Sequence, residues 1–196
     1  MRGVLRAAWL AIGLGILLEV LVLMLAAFTG TAGESGRPAL ADLAQKVSWS
    51  FLVCIGLAFG AAIKKVREIA MGGIGLFAAP AAFAAAKAIH KGLGQALGVV
   101  APGSPLSIPL LIAVLKGIEY AVLGAALGRL TNRGRGLGSH AGAGLAVGLT
   151  FGLVLTWATG HLSATPSSPI GLAGNGINEV LFPVGCALVI YASEAA

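Results

Sequence analysis

The chain has 196 residues, of which 58% are hydrophobic and 10% charged, with a formal net charge of +6. An average soluble domain is about 25% charged, so 13 Lys+Arg and 7 Asp+Glu cannot cover this chain in water, and a soluble globular domain is excluded. Thirty glycines fit a protein whose helices pack closely in lipid, where no hydrophobic effect draws them together.

A helix crosses the hydrocarbon core with about 20 mostly apolar residues. Six runs meet that length, at 5–28, 46–63, 69–90, 106–129, 139–160 and 169–193. They leave no stretch for a soluble domain. The expectation is an all-α integral membrane protein, a six-transmembrane-helix bundle forming one membrane domain over 1–196.

The first run follows Arg2 and Arg6 and ends near small residues at Thr31 and Ala32, as a signal peptide does. It is about twice the usual apolar length and carries Glu19, so it is expected to remain as the first span. A longer loop, 29–45, follows with Glu34, Arg37 and Asp42, and Lys46 lies at its end. The second run holds Trp49, Cys54, Gly56 and Gly60, and Lys64, Lys65 and Arg67 come directly after it. The third carries Gly72, Gly73, Gly75 and Pro80, with Lys87, His90 and Lys91 near its end. Lys116 and Glu119 lie inside the fourth run, ahead of Gly124 and Gly128. The fifth begins near His140, has glycines at 144, 148 and 152, and ends near Trp157 and His161. The sixth contains GNGINEVLFP, from Gly174 to Pro183, and Cys186.

Positive charge sets the orientation. With the N-terminus inside, 8 of the 13 Lys+Arg (Arg2, Arg6, Lys64, Lys65, Arg67, Arg129, Arg133 and Arg135) fall in cytoplasmic segments. Arg37 and Lys46 fall outside and are balanced by Glu34 and Asp42, while Lys87 and Lys91 can snorkel from a helix end. Both termini are therefore expected in the cytoplasm, in a multi-pass protein of a cell membrane, a bacterial inner membrane. The basic pI follows from this topology and implies no nucleic-acid partner. Arg133 and Arg135 can also meet anionic headgroups.

The order of short matches suggests an inverted 3+3 repeat. GLAFG in the second run answers GLTFG in the fifth, LFAAP in the third answers LFP in the sixth, and Glu19 answers Glu119. Convergent packing chemistry explains the same matches. Glycines spaced by four, as at 56 and 60, 124 and 128, and 144, 148 and 152, share a helix face and let backbones approach. They predict a tight bundle with little room for a wide pore. Pro80 and Pro183 are expected to kink their helices or interrupt hydrogen bonding.

Glu19, Lys116, Glu119 and Glu179 lie inside apolar runs, each at a cost of about 2.5–3.5 kcal/mol at mid-helix. Counted along their helices, the three carboxylates fall between the outer third and the midplane. Lys116 and Glu119 are three residues apart and can pair on one helix face. Two carboxylates remain, and neutrality then needs protons or a bound cation. Asn175, Asn178 and Glu179 bring further polar groups to this depth. Either the helix is broken at Gly174 and Gly176, freeing carbonyls for a transport site, or helix six begins near Gly176 with Asn175 as its cap. For Glu19, Lys116 and Glu119 the competing reading is an internal salt bridge that fixes helix register.

Other chemistry is lacking. His90, His140 and His161 fall at different helix ends, read as interfacial, and cannot form one metal cluster. No metalloprotease, nucleophile-elbow or phosphate-loop motif occurs, so no catalytic residue is assigned and an enzyme is not expected. No motif specifies a cofactor. Trp9, Trp49 and Trp157 read as membrane anchors, and Cys54 and Cys186 as buried apolar thiols.

Two functions follow. The first is a small polytopic transporter or channel for a cation or small polar solute, with Glu19, Lys116, Glu119, Asn175, Asn178 and Glu179 as its transport site. The second is a non-catalytic accessory subunit of a larger membrane complex, or a homo-oligomer assembled through the glycine-rich faces. In both, the lipid bilayer is the surrounding partner.

Overall fold

A computed structural model describes residues 2–29, 36–98, 107–162 and 169–194. Among the described residues the fold is all-helical: α1 (Arg2–Phe28), α2 (Gly36–Ala62), a 3-10 turn (Lys64–Val66), α3 (Arg67–Ala96), α4 (Ser107–Asn132), α5 (Leu137–Leu162) and α6 (Pro169–Glu194). All six α-helices are long and apolar enough to cross a membrane, as a multi-pass membrane protein requires. Their outward faces are apolar as well. Phe28, Ile69, Phe77 and Leu153 are each more than two-thirds exposed, as on a surface that meets lipid or another apolar partner.

The helices extend past the apolar runs. α2 starts at Gly36 rather than near residue 46, because ALADLAQ, though too polar to count as span, is a good helix former. α3 continues to Ala96, where the Leu97 N–H bonds to the Leu93 carbonyl at 2.9 Å and Gly98 turns the chain with φ +74. Glu34 lies outside the described residues, as does the side chain of Arg37.

Neighbouring helices pack in chain order, and α6 closes the ring by also meeting α1, α2 and α4. The glycine faces set these contacts. A Cβ at Gly60 would lie 2.8 Å from the Met71 Cα of α3, one at Gly128 2.7 Å from the Glu68 Cα, and one at Gly148 2.6 Å from the Val180 carbonyl of α6. At these three positions the glycine faces are thus filled by neighbouring helices of the same chain. The core between them is built from Val53, Leu57, Met71, Leu123, Phe182 and Ile190.

The start of α1 meets the end of α6, where a Cβ on Gly3 would lie 3.3 Å from the Ser193 carbonyl. This end also carries the 3-10 turn and the α4–α5 connection, and is called the basic end below. Arg67, counted in the sequence among the charges that set orientation, is buried there. Its Nε donates to the Ala61 carbonyl at 2.8 Å, and its guanidinium reaches Asn132 Oδ1 at 3.5 Å and Glu194 Oε2 at 3.1 Å. One side chain so ties the ends of α2, α4 and α6. His140 lies beside this node and is buried rather than interfacial. It contacts Thr131 Oγ1 at 3.2 Å and Tyr191 at a ring distance of 5.1 Å.

Candidate functional site

At the other end the bundle opens into a cavity of about 440 Å³ between α1, α2, α3, α4 and α6. Its rim is formed by Ala26, Asp42 and Asn175, and its depth by Trp49, Lys116 and Phe182. The sequence predicts a tight bundle with little room for a wide pore, and a cavity of this size at one end is compatible with that. Large side chains, Trp49, Phe83 and Phe182, face one another across part of it.

Trp49 forms the floor. It is buried and meets Phe83, Tyr120 and Phe182 edge-on, at ring distances of 6.5, 5.5 and 6.4 Å. It is not the membrane anchor expected from its place in the sequence. α2 begins earlier than the apolar run, so residue 49 lies more than three turns inside the helix. Trp9 and Trp157, at 69% and 61% exposure, do face outward.

Lys116 rests on this floor. Its Nζ lies 5.5 Å from the Trp49 ring centre and 5.8 Å from that of Tyr120, distances at which a ring face attracts a cation. The same ammonium group is ion-paired to Glu179 of α6 and lies 2.8 Å from Glu119 Oε2. The i,i+3 pair expected on α4 exists, and Lys116 also takes one of the two carboxylates left over. Glu119 is fully buried, yet neither of its oxygens has a hydrogen-bond partner in good alignment.

The other leftover carboxylate has a different partner. Glu19 of α1, 3% exposed, pairs with Lys46 of α2. Lys46 was expected outside the membrane region, balancing Glu34 and Asp42. Its helix begins ten residues upstream, so its side chain enters the cavity wall instead. Asp42, one turn nearer the rim, bonds to His90 Nε2 at 3.0 Å.

Of the six residues singled out in the sequence, Lys116, Asn175, Asn178 and Glu179 line the cavity. Glu19 and Glu119 lie behind it, each against a lysine that does line it. Counted at 1.5 Å per residue from the helix ends, Glu19, Lys46, Lys116, Glu119 and Glu179 lie about 13–18 Å deep, close to half the thickness of a bilayer core.

Neither expected answer for GNGINEVLFP holds. The α6 helix is unbroken from Pro169 to Glu194, so it is not interrupted at the glycines and Asn175 caps nothing. Asn175, Asn178, Glu179 and Phe182 recur at spacings of three and four, and so form one polar stripe turned to the cavity. Asn178 Oδ1 is buried without a partner. One backbone acceptor is nevertheless freed at this depth: Pro183 has no N–H to give the Glu179 carbonyl four residues earlier.

The structure adds one further pair. Cys54 of α2 and Cys186 of α6 are fully buried, as expected of apolar thiols, and their sulfurs lie 3.2 Å apart. Among the described residues no group of three or more His, Cys, Asp or Glu could hold a metal ion. Compared with known proteins, the chain matches no family model, no curated protein and no solved structure.

Proposed function

We propose that the chain spans a cell membrane six times, with both termini and the basic end in the cytoplasm, and carries a small cation or cation-bearing polar solute through the cavity on Lys116 and Glu179. The observation that carries this reading is the charge balance at mid-depth. Three carboxylates, Glu19, Glu119 and Glu179, face two ammonium groups, Lys46 and Lys116. An uncompensated charge is costly in a dry interior, and one more positive charge completes the set. A proton supplies it in the resting state, and the solute cation supplies it when bound.

Lys116 is then a tethered counter-charge. A solute cation entering from the rim meets Glu179, the partly exposed partner of Lys116, before it reaches the fully buried Glu119. As the cation takes Glu179, Lys116 keeps Glu119, and neither carboxylate is left bare. Asn178 Oδ1 gives a neutral oxygen, and Phe182 and Trp49 give ring faces.

Release on the cytoplasmic side requires the Arg67 node to open. An inverted 3+3 repeat gives a way for this to happen, one half rocking against the other. Several pairings support it. Gly56 of α2 packs on Ala78 of α3 as Gly148 of α5 packs on Val180 of α6, Pro80 and Pro183 both lie inside their helices, and Glu19 and Glu119 are both buried beside a lysine.

The test is cation flux into liposomes holding the purified chain. Wild type is expected to move a cation or proton in response to a gradient, and Glu179→Gln to fall to background while keeping its melting temperature. Wild-type liposomes that move nothing, together with a native particle that contains other polypeptides, would replace this reading by that of a non-catalytic subunit.

A further inference from the structure

A second depression, of about 600 Å³, runs along the outer surface between α1 and α2. It is lined by Leu5, Trp9 and Ile12 from α1 and by Phe51, Ile55 and Phe59 from α2. Three of the six, Leu5, Trp9 and Phe59, are more than half exposed. No charged side chain lines it. The groove ends at the basic end. Ser50 Oγ donates to the Ala11 carbonyl at 2.7 Å and Lys46 pairs with Glu19, a register that sets the first turn of α1 level with the end of α2. Arg2 and Arg6 therefore stand at the same end of the groove as Lys64 and Lys65. All four are exposed, and none forms an ion pair among the described residues.

An apolar groove that finishes at four exposed cations is complementary in charge and polarity to a molecule with an apolar chain and an anionic head. We propose that this groove binds an anionic phospholipid, one acyl chain lying on Trp9 and Phe59 and the phosphate held by Arg2, Arg6, Lys64 and Lys65. The inference rests on the membrane reading above but not on transport. A zwitterionic lipid fills the groove equally well but leaves the four cations without a counter-charge, so the selectivity resides in the headgroup. Each basic group near a lipid surface contributes about fivefold to the preference.

Trp9 reports on the groove directly. In phosphatidylcholine vesicles, a chain with Trp9 as its one tryptophan (Trp49→Phe, Trp157→Phe) is mixed with a small fraction of lipid brominated on its acyl chains. Brominated phosphatidylglycerol is expected to quench Trp9 severalfold more than the same fraction of brominated phosphatidylcholine. The preference is expected to vanish in Arg2→Gln, Arg6→Gln, Lys64→Gln, Lys65→Gln. Should the single-tryptophan chain fail to fold, the difference between wild type and Trp9→Phe gives the same reading. Equal quenching by both lipids would overturn the proposal and leave the four charges as determinants of orientation only. So would a preference that survives the fourfold variant. No quenching of any tryptophan by either lipid would instead contradict the membrane reading itself.

Discussion

At the scale of single residues, Lys116 is the side chain on which the site depends, because one ammonium group serves two carboxylates. Removing one partner of a buried ion pair costs about 3–5 kcal/mol, since the other charge is left uncompensated. Lys116→Met is therefore expected to lower the melting temperature in detergent markedly. Lys116→Met with Glu119→Gln should recover most of that loss, because the fully buried carboxylate is gone. Equal melting of the single and double variants would mean that the pair does little for stability. The buried charges themselves were legible in the sequence, since a Glu or Lys within an apolar run stands out whatever the fold. Lys46 and Trp49 were not. Their part depends on where α2 begins and how it is rotated, and an apolar chain with weak periodicity leaves both open. A signal did exist: Asp42, Lys46 and Trp49 recur at spacings of four and three, which puts them on one face once the helix is extended upstream.

At the scale of helices, small residues decide how closely the backbones approach. A Cβ at Gly75 would lie 2.6 Å from the Tyr120 carbonyl carbon of α4, whereas one at Gly73, on the same helix, would meet nothing within 4 Å. Gly75→Ala is accordingly expected to destabilise by about 1–3 kcal/mol, the cost of overpacking. Gly73→Ala should be neutral or stabilise by up to about 1 kcal/mol through helix propensity. Thermal melting of the two variants side by side checks this, and equal losses would contradict the packing described. Six helices and the glycine faces could be read from the sequence because each depends only on local composition and spacing. The course of α6 could not. Gly174 and Gly176 weaken a helix, but α1, α2, α4 and α5 pack around this one, and tertiary contacts outweigh a propensity cost of about 1 kcal/mol per glycine. The polar stripe on α6 is therefore carried on an intact helix, a stiffer support than a broken one.

At the scale of the whole molecule, the two ends differ: one opens into a cavity and the other is drawn together by Arg67, Asn132 and Glu194. Transport by this architecture requires α2, which carries Lys46 and Trp49, to move against α6, which carries Glu179. Cys54 and Cys186 join those two helices at a sulfur separation of 3.2 Å. Copper phenanthroline, which reaches membrane-buried thiols, takes two electrons from the pair, releases two protons and closes a disulfide. Flux is expected to stop on oxidation and return with dithiothreitol, while Cys186→Ala stays insensitive. Full flux through the cross-linked chain would show that α2 and α6 need not separate. Arg67→Gln is expected to raise uncoupled leak through the basic end, measured as dissipation of a preset cation gradient in liposomes. An unchanged leak would mean that other contacts hold that end closed.

The central claim is that the cavity takes up one positive charge to balance Glu19, Glu119 and Glu179 against Lys46 and Lys116. Its most direct test is the charge displaced when cations are applied to reconstituted membranes on a solid support. A saturable transient current is expected for wild type, absent in Glu179→Gln and retained in Asp42→Asn, whose carboxylate lies at the rim outside the balance. A current of equal size in Glu179→Gln, or none in wild type, would contradict the account.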